Sequence, residues 1–222
     1  MSRARKQGPF FVYGASGHGK VVADILRACS IEIEGFVDDM LSDCASVNGF
    51  RIMGNAQWLA LQAAHQTVSV ALGIGDNFAR RVVALRCIAR GIRLLTAIHP
   101  SAVIASSAKI SSGTVIMAQA VVNADAVIGK AAIINTAAVV EHDCTIGNFS
   151  HLSPKAAIGG HVQIGDLSWL GIGSSVIPNI KVGARSIVGA GATVVSDVED
   201  GVVVVGTPAR TLKKVAPQSE PR

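Results

Sequence analysis

From residue 104 to residue 194 the chain places an aliphatic side chain at every sixth position without a break, beginning Ile104, Ile110, Ile116, Val122 and ending Val182, Val188, Val194. Sixteen consecutive anchors carry only Ile, Leu or Val, a run that chance does not produce. Four residues beyond an anchor the side chain is usually small, as at Ala108, Thr114, Ala120, Ala126, Ala132, Ala138, Cys144, Ser150 and Ala156. Glycine often follows the anchor directly, as at Gly129, Gly147, Gly159, Gly165, Gly171, Gly183 and Gly189. A fixed period of this kind marks a repeat architecture in which each unit buries its apolar face only by stacking on its neighbours.

Residues 8 to 99 follow a different pattern. Phe10-Phe11-Val12-Tyr13 reads as a buried strand and runs into the turn Gly14-Ala15-Ser16-Gly17-His18-Gly19. Lys20 to Cys29 has helical periodicity through Val21, Val22, Ile25 and Leu26. Ile33 to Val37 is a second strand ending in Asp38-Asp39, and Asn55 is a candidate cap for a helix carrying Trp58, Leu59 and Leu61. Val68 to Leu72 is a third strand, followed by Gly73-Ile74-Gly75-Asp76-Asn77, a helix from Phe78 to Arg90, and a fourth strand from Arg93 to Ile98. Strands alternating with helices predict a parallel sheet. The chain thus divides into an α/β domain over 8–99 and a repeat domain with a C-terminal tail over 100–215, with residues 216–222 expected to be loose.

The six-residue pattern resembles the hexapeptide-repeat proteins, whose fold is a left-handed parallel β-helix. Three hexapeptides, each with one short strand, make one triangular coil, with the anchor in each interior corner and a small residue beside it. Coils stack at the ordinary inter-strand spacing of about 4.8 Å, so five coils give a prism ~25 Å tall. The expected fold class is therefore an α/β Rossmann-like domain followed by a left-handed parallel β-helix.

Composition narrows this picture. Hydrophobic residues make up 50% of the chain but aromatic ones only 4%, so Val, Ile and Ala carry the cores. Charged residues are only 16%, which suggests an oligomer with buried faces. The net charge of +5 suits an anionic small molecule or nucleic acid, but no Lys/Arg run with interleaved aromatics favours nucleic acid. Cys29, Cys44, Cys87 and Cys144 have no paired spacing and read as free thiols. The basic start, Met1 to Pro9, is followed by an apolar stretch too short for a signal sequence, and no run approaches the ~20 apolar residues of a membrane span. A cytoplasmic protein with no membrane span is expected.

Two regions offer chemistry. The glycine turn between a strand and a helix suits a diphosphate, because backbone N–H groups and the helix dipole point at it. Asp38-Asp39 and Gly73 to Asn77 would meet this turn at the carboxyl edge of the sheet. The plainer readings are a tight βα turn and a solvated acidic turn. In the repeat domain His142 is the candidate base, since imidazole titrates near neutral pH and Asp143 or Glu141 could orient it. Adding one coil, three hexapeptides on, puts Gly160 on His142, His161 on Asp143 and Trp169 on His151. Glycine over the histidine leaves room for a thioester and offers an N–H to its carbonyl oxygen. A single histidine on such a turn is otherwise inert more often than not.

Taken together, Tyr13-Gly14-Ala15-Ser16-Gly17-His18-Gly19, Phe36-Val37-Asp38-Asp39, Asn135-Thr136, Glu141-His142-Asp143-Cys144 and Phe149-Ser150-His151 resemble the bacterial NeuD/PglD-like sugar acyltransferases, in particular those that N-acetylate UDP-4-amino-4,6-dideoxy sugars. The resemblance spans nearly the whole chain. It implies His142 as general base helped by Asp143, acetyl-CoA held by His151, Gly160, Ile172 and Ala190, and the nucleotide sugar held by Ser16, Gly17, His18, Asp38, Asp39 and Gly73. It also implies a homotrimer with the cleft between β-helices of neighbouring chains. The position of Asp143 is glutamate in some members, and that of Ala190 lies where a glycine is found.

The expected reaction is direct transfer in a ternary complex. His142 takes a proton as the sugar amine attacks the thioester, and backbone N–H groups hold the oxyanion. Cys144 occupies a small interior slot and is assigned to packing. No metal is expected, because no His/Cys/carboxylate cluster stands at ligand spacing along the chain. The alternatives are an O-acetyltransferase for sialic acid or another sugar, an N-acetyltransferase for a GDP-linked amino sugar such as perosamine, and a non-catalytic β-helix scaffold. A β-helix carbonic anhydrase would need zinc-ligand histidines at a spacing absent here.

Overall fold

The computed structural model describes residues 8–41 and 45–216. The basic start, Cys44 and most of the tail expected to be loose lie outside these residues. Phe10–Tyr13 (β1), Gly35–Val37 (β2), Ser46–Val47 (β3), Phe50–Gly54 (β4), Ser69–Leu72 (β5) and Arg93–Leu94 (β6) form one sheet in the order β3-β4-β2-β1-β5-β6. All pairings are parallel except the β3–β4 hairpin at the edge, which the sequence pattern did not reveal. Three helices pack on the sheet: Gly17–Ala28 (α1), Ala56–His65 (α2) and Asn77–Ala89 (α3). The side chain of Asn55 caps α2 by accepting from the N–H groups of Gln57 and Trp58, as expected. Asp76 caps α3 through the N–H of Ala79.

The stretch Arg93 to Ile98, read as one strand, is two. Arg93–Leu94 pairs with β5, but Ala97–Ile98 pairs with Val115–Ile116 and is already the first rung of the β-helix. Ile98 stands one period-six step before Ile104 and extends the pattern by one anchor.

The rungs build a parallel β-helix with three faces. On the first face, Val115, Ile133, His151, Trp169 and Ile187 stand in register one coil apart. The second face runs through Val103, Val121, Val139, Ala157, Ser175 and Thr193, and the third through Lys109, Val127, Thr145, Gln163 and Lys181. The anchors from Ile116 to Val194 are buried in a single core, while Ile104 and Ile110, in the first coil, are only partly covered. The small positions have hydroxyls that donate to neighbouring carbonyls, as from Ser150 to Gly165 (2.8 Å) and Ser168 to Gly183 (2.6 Å). The second residue of most corners is left-handed although it is not glycine, including Asp143 at φ 58° and His161 at φ 59°. Such a residue costs roughly 1–2 kcal/mol, a cost offset by the continuous ladder on either side. Val202–Val205, paired with Arg210–Lys214, closes the C-terminal end.

The three faces differ in what covers them. Residues of α1 (Val22, Ile25, Leu26) share a core with Ala97, Val115 and Ile133, so the α/β domain sits on the first face. Helix α3 meets the corner between the third and first faces, where Ala131 and Phe149 join the core of Val83, Ala84 and Cys87. The third face carries polar Lys109, Thr145, Gln163 and Lys181, whereas the second offers Val103, Val121, Val139 and Ala157. Among the described residues no helix is long and apolar enough to cross a membrane.

Candidate active site

His142 and Asp143 occupy the corner between the second and third faces. The Nδ1 of His142 lies 2.8 Å from the Asp143 carboxylate, with the two side chains 55% and 44% exposed. The histidine holds the Asp143 carboxyl below its ordinary value, and His161 adds to the effect. An ionised carboxylate only accepts, so Nδ1 carries the proton of that bond and Nε2 is the nitrogen left facing outward. One coil later Gly160 lies against the ring: a Cβ there would stand 2.6 Å from Cε1 and 2.7 Å from Nε2 of His142. The stacking deduced from the coil period is therefore present in space. His161 also falls where that period puts it, with Nε2 3.7 Å from the same Asp143 oxygen and its ring edge-on to His142 at 5.3 Å. The carboxylate of Glu141 accepts from Asn123 Nδ2 at 2.8 Å, and the carboxylate that accepts from His142 is that of Asp143.

The cluster His142, Asp143, His161 brings three potential ligand atoms within 4.8 Å of one another. This corrects the reading that no such cluster exists: His161 stands a full coil beyond Asp143 in sequence, and the two meet only through stacking. An ion there would occupy imidazole nitrogens of the pair that otherwise offers a free base. Cys144 behaves as a packing residue, with its thiol donating to the Gly159 carbonyl at 3.1 Å and its pKa raised by burial.

At the carboxyl edge of the sheet the predicted nucleotide residues come together, with much of their chemistry committed to the fold. Asp38 accepts from the N–H of Ala15 (2.8 Å), Met40 (2.9 Å) and Leu41 (3.2 Å). Asp39 accepts from the Tyr13 hydroxyl and from the N–H of Ala56, both at 2.9 Å. Gly19 and Gly73 allow close approach, since a Cβ on either would lie 1.9 Å and 2.4 Å from the Gly14 carbonyl oxygen. Gly17 differs, because a Cβ there would meet nothing, and Ser16 precedes α1 without capping it through its side chain. The start of α1 thus presents N–H groups to open space, as a phosphate would require. His18 turns inward, and burial, helped by Arg80, lowers its pKa to about 4.

His151 is 8% exposed and stands on the first face beneath the α/β domain. Asn135 Nδ2 lies 2.9 Å from its Nε2, and Trp169 stacks on it at 6.0 Å, 8° from parallel. Burial lowers its pKa to about 3, so the ring is neutral. It borders a cavity of about 870 Å³ between the start of α3 and the first face, also lined by Phe78, Arg81, Trp169, Arg185 and Ile187. This cavity is across the prism from His142 of the same chain. Ile172 and Ala190 fall on yet another edge, the corner between the first and second faces, one above the other. A single chain therefore distributes the predicted acetyl-CoA residues over a face and two corners.

Arg80 went unnoticed in the sequence. It has no exposed surface and bonds to both domains. The available signal was an arginine at helical spacing from Val83, Ala84 and Cys87, within the buried stripe of α3.

A nucleotide-binding type of α/β domain set on a hexapeptide β-helix, with a solvent-accessible His–Asp pair on a corner, defines a class of acyltransferases. The family described as the PglD N-terminal domain matches residues 10–87, and the bacterial transferase hexapeptide family matches residues 161–196. PerB from Caulobacter crescentus, solved with CoA and GDP-perosamine, is 40% identical, with a TM-score of 0.88 over 92% of this chain and 97% of that one. The acetyltransferase domain of PglB from Neisseria gonorrhoeae, solved with acetyl coenzyme A, is 37% identical, with a TM-score of 0.84 over 92% of this chain and 100% of that one. The UDP-N-acetylbacillosamine N-acetyltransferase of Bacillus subtilis (strain 168) is 37% identical over 116 residues, 48% of this chain and half the length of that relative. The chain belongs to the NeuD/PglD-like family of sugar acyltransferases.

Proposed function

We propose that this protein transfers the acetyl group of acetyl-CoA to the amine of a nucleotide-linked 4-amino-4,6-dideoxy sugar. The observation that carries the reading is the His142–Asp143 pair with glycine stacked against the imidazole. His142 Nε2 accepts a proton from the attacking amine, and Asp143 stabilises the imidazolium that results. Nitrogen forms the new bond to the acetyl carbon, the thioester C–S bond breaks, and CoA leaves as the thiol once protonated. Gly160, at the foot of the ring, leaves space for the thioester and is the nearest candidate N–H donor to its oxyanion.

Ser16, Gly17 and the start of α1 are assigned to the diphosphate. Asp38 and Asp39 fix the turn and face the nucleotide with their remaining lone pairs, and His18 and Gly73 line the same edge. His151, Ile172 and Ala190 are assigned to acetyl-CoA. The uncovered second face, with Val103, Val121, Val139 and Ala157, supports a homotrimer in which one chain's Ile172–Ala190 corner lies beside a neighbour's His142–Gly160 corner. Sedimentation equilibrium should give about three times the chain mass. A cytoplasmic location fits a reaction that consumes acetyl-CoA.

The lead acceptor is UDP-linked. The GDP-linked reading is favoured by one observation, the 40% identity over nearly the full chain to a protein solved with GDP-perosamine. Turnover of UDP- and GDP-linked 4-amino-4,6-dideoxy sugars with acetyl-CoA, followed by mass spectrometry, tests both. Transfer to neither nucleotide sugar, or transfer only to a sugar hydroxyl, would overturn the proposal.

A further inference from the structure

Arg80 is a buried cation whose bonds cross the junction between the two domains. Its Nε donates to the Ala131 carbonyl (2.8 Å), and Nη1 to the carbonyls of Ile74 (3.1 Å) and Gly75 (2.9 Å). Its Nη2 donates to Asn77 Oδ1 (2.8 Å) and to the carbonyls of Phe149 (2.7 Å) and Ser150 (3.3 Å). Every nitrogen is engaged and no acceptor is a carboxylate. Asn77 extends the contact, its Nδ2 donating to the carbonyls of Leu167 (3.0 Å) and Ser168 (3.1 Å). Ala131, Phe149 and Leu167 are equivalent corner residues of three successive coils. The pair therefore grips three coils at one corner of the prism while holding Ile74 and Gly75, in the loop that follows β5.

Docking alone does not need this arrangement. Two apolar clusters already join the domains. Apolar contacts resist separation but tolerate sliding, whereas directional bonds from a rigid fork fix distance and angle. Burying a guanidinium without a carboxylate partner costs free energy, and such groups are best understood by the geometry they specify. What is fixed is the loop beginning at Gly73, on the nucleotide side, relative to the coils that carry His142 and His151.

We infer that Arg80, with Asn77, is a positioning residue for the transfer reaction, fixing the nucleotide-sugar edge on its own β-helix and so, within the proposed trimer, at working distance from the acetyl-transfer corner of the chain it faces. This rests on the function proposed above. Misplacing reactants by about 1 Å costs roughly 10²-fold in rate, so the span between the sites is a kinetic quantity. Lysine at position 80 keeps the charge but loses the fork.

The test compares wild type, Arg80→Lys and the milder Asn77→Ser as intact oligomers, with two acceptors: the nucleotide-linked amino sugar and the same amino sugar without its nucleotide. The variants should bind UDP or GDP and CoA within about twofold of wild type by calorimetry. They should lose roughly 10²-fold (Arg80→Lys) or less (Asn77→Ser) in kcat on the nucleotide-linked acceptor. Transfer to the free amino sugar, which the α/β domain does not hold, should change far less. Unchanged kcat on the nucleotide-linked acceptor, or equal losses on both acceptors, would overturn the inference. If Arg80→Lys does not fold, Asn77→Ser decides alone. If wild type acetylates neither nucleotide sugar, the functional reading fails, and the clamp is judged by hydrogen exchange: faster exchange confined to Gly73–Asn77 in Asn77→Ser supports it, and unchanged exchange rejects it.

Discussion

The corner at His142 and the junction at Arg80 are built on opposite principles. At the corner, imidazole and carboxylate are about half exposed, share one short hydrogen bond, and face a glycine that contributes no side chain. At the junction Arg80 is fully buried, His151 nearly so, and every polar group of the guanidinium is paired. A proton acceptor must be reached by substrate and must exchange its proton with water, so it stays in the open. A spacer must not move, so it is buried and multiply bonded. The comparison separates a fixed framework at the junction from an accessible His–Asp pair at the corner, the pair to which the proposed function assigns the proton transfer.

The contrast can be broken at either end. At the corner, a large effect short of removing His142 itself is expected from Gly160→Val. Its side chain would enter space already occupied by the His142 ring, at 2.6 Å from Cε1 even for the first carbon. Displacing the half-exposed ring should lower kcat about 10²-fold; a kcat within a factor of two of wild type would show that the ring is not where transfer occurs. A smaller loss, roughly tenfold, is expected for Asp143→Asn, which replaces a charged hydrogen-bond partner by a neutral one. Steady-state kinetics against pH checks this, and full activity would remove Asp143 from the account.

The histidines near the junction leave kinetics aside and are read through stability. His18 and His151 are held neutral, with pKa values lowered to about 4 and about 3, against about 6.5 in the unfolded chain. Between those limits the unfolded chain binds more protons, so stability is full above about pH 6.5 and falls as the pH drops toward 4. Each histidine contributes a slope of up to ~1.4 kcal/mol per pH unit in that window. Denaturant unfolding at several pH values should show His151→Gln with a shallower acid slope than wild type. An identical slope would mean that the ring is not buried neutral.

Legibility differed between the same two regions. The β-helix could be read almost completely, because each coil repeats the same requirement: an aliphatic corner, a small neighbour and a turn. The coil period alone places Gly160 on His142, His161 on Asp143 and Trp169 on His151. The α/β domain gave its helices and main strands through apolar periodicity, but not the β3–β4 hairpin, whose two short strands carry little alternating pattern. Arg93–Ile98 reads as one strand because nothing in Arg-Leu-Leu-Thr-Ala-Ile says which of two sheets each end joins. Asp38 and Asp39 looked like ligand residues, yet their oxygens already hold the chain's own N–H and hydroxyl groups, so replacing both would disturb the turn as well as the nucleotide. Arg80 was hidden because its partners are mostly main-chain carbonyls, which no sequence pattern marks.

The most direct test of the central claim is kcat for acetyl transfer to the nucleotide-linked amino sugar, measured for His142→Ala beside His161→Ala under saturating acetyl-CoA. General-base assistance is typically worth about 10² to 10⁴ in rate, so His142→Ala should lose that much while still binding acetyl-CoA, and His161→Ala should retain most of its activity. Near-wild-type kcat for His142→Ala with a dead His161→Ala would move the base to the neighbouring coil, and full activity in both would remove the chemistry from this corner altogether.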